Sequence, residues 1–363
     1  MRLVLTLALI GVAVNVINGK RDELVGATEY LENLRWYWLA AAGVVEVASI
    51  VAFGALQRQL LLAGRVSMTL RTSTALAFAG NAIQNSLPAG PVFSGVFAYR
   101  QFHERGADEI LSGWVLVGTA ALSQIALVVL AVIGLAGASG TGSALNLVTV
   151  ILGLLVLAAL LVLVWRGRNW IARHLVGPLR LTQRAVKRPS GDPRQLVEDL
   201  VVRMNAITPS RTDWLLAIGY GLANWVLDVL CLTAAFAAVG APVPWRALLL
   251  AYAAAQLAAN LPITPGGLGV VEGSLIIGLV AFGGSQESTV AAVLLYRLIS
   301  FWALLAIGWV AWGWANWDLR RRVARRAAAA VTTEQPPTEQ PRTEQERKER
   351  GQPQPQWQAG GSA

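Results

Sequence analysis

Four ionisable side chains, Glu46, Asp228, Glu272 and Arg297, stand inside stretches otherwise apolar enough to cross a bilayer. An ionised group at mid-membrane costs roughly 2.5–3.5 kcal/mol on insertion scales, so all four unpaired would oppose insertion by about 10–14 kcal/mol. They are therefore expected to face a shared polar interior. Arg297 is the natural partner of Glu272 or Asp228, and Arg100, closing another apolar stretch, is a second cation able to face the same cavity. Each has a plainer reading. Arg297 and an acid would make a structural clamp, Glu46 and Asp228 would sit as neutral acids in an apolar setting, and Arg100 would snorkel to the cytoplasmic face.

A second kind of chemistry lies in the backbone. Asn85-Ser-Leu-Pro88-Ala-Gly90 and Asn260-Leu-Pro262-Ile-Thr-Pro265-Gly266-Gly267-Leu-Gly269 each interrupt an apolar run with residues that break helices. Read as chemistry, the exposed amides of the second run and the N-terminus of the helix after it attract an anion such as phosphate. The same dipole offers Glu272 a helix to cap, and the bland alternative is a tight turn. Enzyme signatures are missing. There is no Walker A sequence, no His-Glu-x-x-His, and no strand ahead of Gly266-Gly-Leu-Gly269 for a dinucleotide fingerprint. One cysteine, Cys231, and two histidines, His103 and His174, exclude an internal disulfide and a Cys/His metal cluster. No cofactor is expected, and transport would be passive or coupled to an ion or the membrane potential.

The elements that must position these groups follow from composition. Of 363 residues, 55% are hydrophobic and 14% charged, with a mean hydropathy of +0.51, against about 25% charged in soluble domains. Spanning needs about 20 apolar residues, and Trp36–Leu56, Leu111–Leu135, Leu145–Trp165, Trp214–Val239 and about Ser288–Trp317 supply them. Arg2–Ile17 lacks a convincing signal-peptide cleavage site and is read as a first crossing. It is short for one, as a misassigned start codon would make it. Asp22–Arg35 reads as an external interfacial helix, and Trp36 and Trp38 mark the boundary. The segments Thr72–Phe102 and Ala247–Gly283 have arms too short to cross and read as re-entrant hairpins. The fold expected is all-α and polytopic, with about six full transmembrane helices plus two broken hairpins.

Charge sets the orientation. The net charge of +9 sits in two places. Ten Lys/Arg against three acids fill the loop 166–211, and Arg320, Arg321, Arg322, Arg325 and Arg326 follow the last crossing. That is the positive-inside pattern, not a nucleic-acid footprint, and it places both termini in the cytoplasm. The expected organisation is a membrane domain over 1–326 and a disordered Pro/Gln-rich tail over 327–363. Counting crossings, residues 36–135 insert their hairpin from the cytoplasm and 214–317 insert theirs from outside. That makes a candidate inverted repeat, a common transporter arrangement.

Asn260-Leu-Pro-Ile-Thr-Pro-Gly-Gly-Leu-Gly-Val-Val-Glu272-Gly and Leu295-Tyr296-Arg297-Leu298-Ile-Ser-Phe-Trp302 resemble the membrane region of lysylphosphatidylglycerol synthases and their flippase-like relatives. Asn85-Ser-Leu-Pro-Ala-Gly and Tyr99-Arg100 resemble the family's looser first-half motif. The resemblance covers about residues 30–320. Many members carry a Glu after the first Pro/Gly turn, where this chain has Phe93-Ser94-Gly95, a departure that fits a subfamily with an altered substrate. In full-length synthases a soluble aminoacyl-transferase domain follows, whereas here a short tail does. The resemblance therefore implies lipid translocation rather than lipid aminoacylation. It points to Asn260, Pro262, Pro265, Gly266, Gly267, Glu272 and Arg297, and less firmly to Asn85, Pro88, Gly90 and Arg100.

The expectation is thus a translocase of an anionic phospholipid or lipid-linked envelope precursor in the bacterial cytoplasmic membrane. Two rivals stand beside it. One is a membrane-embedded transferase or hydrolase with Glu272 or Asp228 as base. The other is a non-catalytic partner of an envelope-synthesis enzyme, docked through the loop 166–211.

Overall fold

The structure, a computed structural model, describes residues 34–138, 209–260 and 264–334. Expectations for the first crossing, the external helix as far as residue 33, the 145–165 crossing, the basic loop up to 208 and the tail after Glu334 lie outside those residues. Every described element is helical: α1 (Trp36–Ala63), α2 (Leu70–Ser86), α3 (Gly90–His103), α4 (Glu109–Ala138), α5 (Arg211–Val239), α6 (Trp245–Ala259), α7 (Val270–Ala281), α8 (Gln286–Arg297) and α9 (Leu304–Glu334). A 3-10 turn, Pro265–Gly267, precedes α7, and a π segment, Leu298–Ala303, joins α8 to α9. Among the described residues four stretches are long and apolar enough to span: α1, α4, α5 and Gln286–Arg325. They match the four crossings expected within the described residues. The last helix continues to Glu334, past the point near 327 where the polar tail was expected to begin.

The broken segments follow their sequence signals. α2 starts where Thr69 accepts the Thr72 amide. It ends at Leu87, which is extended (φ −112, ψ 142) because a residue before proline is pushed out of the helical region. Ala89 takes the left-handed conformation (φ 56) and Pro91 sits in the first turn of α3, where its missing N–H costs nothing. The arms α2, α3, α6 and α7 have 17, 14, 15 and 12 residues. At 1.5 Å per residue the longest reaches about 26 Å, short of a hydrocarbon core of about 30 Å.

Helices in lipid gain little from hydrophobic burial and associate through close packing and polar contacts. Both operate here. α1 lies along α5, where Asn224 donates to the Ser49 hydroxyl (2.8 Å) and carbonyl (3.1 Å) and the Ser49 hydroxyl donates to the Asn224 carbonyl (2.9 Å). Trp225 donates to the Ser123 carbonyl at 2.8 Å, tying α5 to α4. Two glycines set the closest crossings. A Cβ on Gly134 of α4 would stand 2.5 Å from the Leu250 amide of α6, and one on Gly308 of α9 would stand 2.4 Å from the Phe78 carbonyl of α2. Gly134→Val and Gly308→Val are each expected to destabilise by about 1–3 kcal/mol through overpacking. Gly113→Val, which meets open space, should leave the thermal unfolding midpoint in detergent unchanged.

The helices up to Asn316 form one compact unit, and a second begins at Trp317. Within that second unit Arg321 lies over the Trp317 ring at 3.7 Å and Arg322 pairs with Asp318 at 2.8 Å.

Candidate functional site

The turn ahead of α7 is built by three glycines in left-handed conformation, Gly266 (φ 61), Gly267 (φ 67) and Gly269 (φ 81). The Thr264 hydroxyl closes it by donating to the Leu268 carbonyl at 2.9 Å. Gly266 also has no room for a side chain, since a Cβ there would stand 2.4 Å from the Phe301 ring and 3.0 Å from the Asn85 carbonyl. Asn85 is in the last turn of α2. The tip of the second broken segment therefore rests on the broken end of the first.

Glu272 occupies the third position of α7. One carboxylate oxygen, Oε2, accepts the Gly269 amide at 2.7 Å, and Oε1 accepts Arg297 Nε–H at 2.6 Å. Of the two partners open to Arg297, Glu272 holds it, and the helix N-terminus is taken by that same carboxylate. Arg297 Nη2 donates to the Gly266 carbonyl at 3.2 Å, and the guanidinium lies 4.5 Å from the Phe301 ring centre. Arg297 ends α8, and Phe301 stands in the π segment after it, a wide turn of the kind that recurs at functional sites. Arg297 is 8% exposed. Guanidinium carries five N–H donors, and the two bonds above leave the Nη1 donors without an acceptor among the described residues.

A second polar cluster adjoins the first through consecutive residues, Tyr296 and Arg297. Tyr252 donates to Asp228 Oδ2 at 2.7 Å, Tyr296 donates to Oδ1 at 2.8 Å, and Gln256 reaches Oδ2 at 3.5 Å. Gln256 also meets the Tyr296 hydroxyl at 3.3 Å. Glu46 of α1 and Cys231 of α5 lie beside that carboxylate.

The structure thus brings Arg297, Glu272, Pro265, Gly266, Gly267 and Asn85 to one place, with Asp228 and Glu46 in the adjoining cluster. Other expected residues lie elsewhere. Gly90 is buried and packs its α-carbon on the Gln84 carbonyl, which makes it part of the first break. Pro88 and Asn260 are exposed, Asn260 capping α6. Pro262 lies outside the described residues. Arg100 is exposed in the last turn of α3 and, among the described residues, has no ion pair or hydrogen bond with Glu272 or Asp228. Tyr252, Gln256, Ser49 and Asn224 were not anticipated. A signal existed: Glu46 and Ser49 are three apart and Asn224 and Asp228 four apart, spacings that put each pair on one helical face.

A model of the lysylphosphatidylglycerol synthase transmembrane region matches residues 3–308. The chain belongs to this family. Shorter stretches also match proteins named UPF0104 membrane protein from Methanothermobacter thermautotrophicus. One match is 36% identical over 107 residues, covering 29% of this chain and 30% of that protein. Another is 33% identical over 84 residues, covering 23% and 25%. The matched stretches therefore span less than a third of those relatives' length. Membership of the lysylphosphatidylglycerol synthase transmembrane family agrees with the all-helical polytopic fold and with a role connected to membrane lipid. The matched range includes the ion pair and the glycine turn described above.

Proposed function

We propose that this protein translocates an anionic lipid, either a phospholipid or a lipid-linked envelope precursor, across the bacterial cytoplasmic membrane. The observation that supports this best is Arg297, a buried cation with unused donors beside the point where the two broken segments meet. A fork of N–H groups suits a phosphate, which accepts two parallel bonds. Glu272 holds the cation at rest and yields to the headgroup, while the acyl tails stay in lipid. Residues 36–135 and 214–317 act as inverted halves in this reading. The two crossings are in keeping with it, since the end helix of each half passes a glycine against the first hairpin arm of the other. Both termini and the loop 166–211 then face the cytoplasm.

The test is mass spectrometry of lipids retained by the protein in native nanodiscs, comparing wild type with Glu272→Ala and Arg297→Ala. An anionic lipid enriched over bulk membrane in wild type and lost in both variants is expected. Bulk lipid, identical in all three, would sink the reading and move the search to the cytoplasmic loop and an envelope-synthesis partner.

A further inference from the structure

The headgroup reading makes no use of Glu46. That side chain sits on α1, is 3% exposed, and its Oε2 is buried with no hydrogen-bond partner among the described residues. Its neighbours are Asp228 and the Cys231 thiol. Two ionised carboxylates are acceptors only, so they can be joined only through a proton or another cation held between them. What is missing between them is a positive species. Asp228 accepts the Tyr252 and Tyr296 hydroxyls on separate oxygens, which hold it in place and leave each oxygen a further lone pair. The other polar groups around the pair do not neutralise it. Cys231 on α5, Tyr252 and Gln256 on α6 and Tyr296 on α8 are neutral, and Arg297 is bonded to Glu272.

We infer that Glu46 and Asp228 form a binding site for one monovalent cation, a proton or a sodium ion. The site needs no lipid to exist. Its consequence for transport rests on the reading above. When a headgroup draws Arg297 away from Glu272, the field at Asp228 changes through the adjacent Tyr296, so cation binding and lipid binding influence each other. Such an ion would couple lipid movement to a gradient.

Infrared spectroscopy of the protein in nanodiscs of ether-linked phosphatidylcholine, which has no ester carbonyl, tests this, because a protonated carboxyl has a C=O stretch that carboxylates lack. The spectrum is taken at neutral pH in choline chloride and again in sodium chloride, for wild type, Glu46→Gln and, as a control outside the site, Glu272→Gln. In choline chloride the wild type should show the protonated-carboxyl band, lost entirely in Glu46→Gln and retained in Glu272→Gln. Persistence of the band in sodium chloride identifies the cation as a proton, and its disappearance there identifies sodium. No band in choline chloride, or a band of unchanged intensity in Glu46→Gln, overturns the site. The experiment contains no anionic lipid, so its failure leaves the translocation reading to its own test.

Discussion

Arg297→Ala is expected to lower the unfolding free energy by about 3–5 kcal/mol, the usual cost of leaving one partner of a buried pair uncompensated. The side chains of Arg297 and Glu272 are 10% and 18% exposed, so water screens them little. Glu272→Ala should cost less than Arg297→Ala, because the cation it frees can still turn to the Gly266 carbonyl and the Phe301 ring. The decisive variant replaces both, Glu272→Leu with Arg297→Met. Apolar replacement of a buried ion pair is often neutral or stabilising, and the double variant should recover most of the midpoint lost by Arg297→Ala in a thermal unfolding scan. It should recover none of the retained anionic lipid. A purely structural clamp predicts the opposite for the second measurement, with lipid retention returning along with stability. Arg297→Lys keeps the charge but not the fork, and should fall between wild type and Arg297→Ala in both readouts.

The sequence was most legible where local physics decides the outcome. Four of the long apolar runs read as crossings are helices of spanning length among the described residues, and the helix breaks at Leu87-Pro88 and at Gly266-Gly267 follow from residue types with few alternatives. It also placed Glu272 and Arg297 in one site, because the cost of a lone charge in lipid forces a partner. It left open which acid that partner was. The answer depends on how the glycine turn and the π segment after Arg297 set α7 beside α8, and that placement between two elements is not encoded in a run of neighbouring residues. Arg100 shows the limit from the other side. By type it matched Arg297, but it closes its apolar stretch, and its exposure at the end of α3 goes with the snorkelling alternative rather than with a place beside Glu272. The cage of Tyr252, Tyr296 and Gln256 around Asp228 was out of reach for a similar reason. Tyrosine and glutamine carry no charge that lipid would penalise heavily, so nothing in the sequence marked them as belonging together.

Gly266→Val should disturb the site as strongly as removing its charges, without touching any of them. Two costs combine. A side chain at φ 61 is held in the left-handed region, at about 1–2 kcal/mol. A Cβ 2.4 Å from the Phe301 ring and 3.0 Å from the Asn85 carbonyl adds about 1–3 kcal/mol of overpacking. Gly269→Ala separates the two, since Gly269 has φ 81 but nothing within 4 Å of its Cβ. It should show the conformational cost alone. The readout is thiol labelling of Asn85→Cys in a Cys231→Ala background. Moving Phe301 displaces the ring that Arg297 lies over, and pushing on the Asn85 carbonyl separates the two broken segments. Gly266→Val should therefore speed labelling at position 85 and abolish enrichment of anionic lipid, whereas Gly269→Ala should leave the labelling rate unchanged. Equal labelling in both would mean that the two broken segments do not depend on Gly266 to meet, and the contact through which Arg297 senses the first segment would have to lie elsewhere.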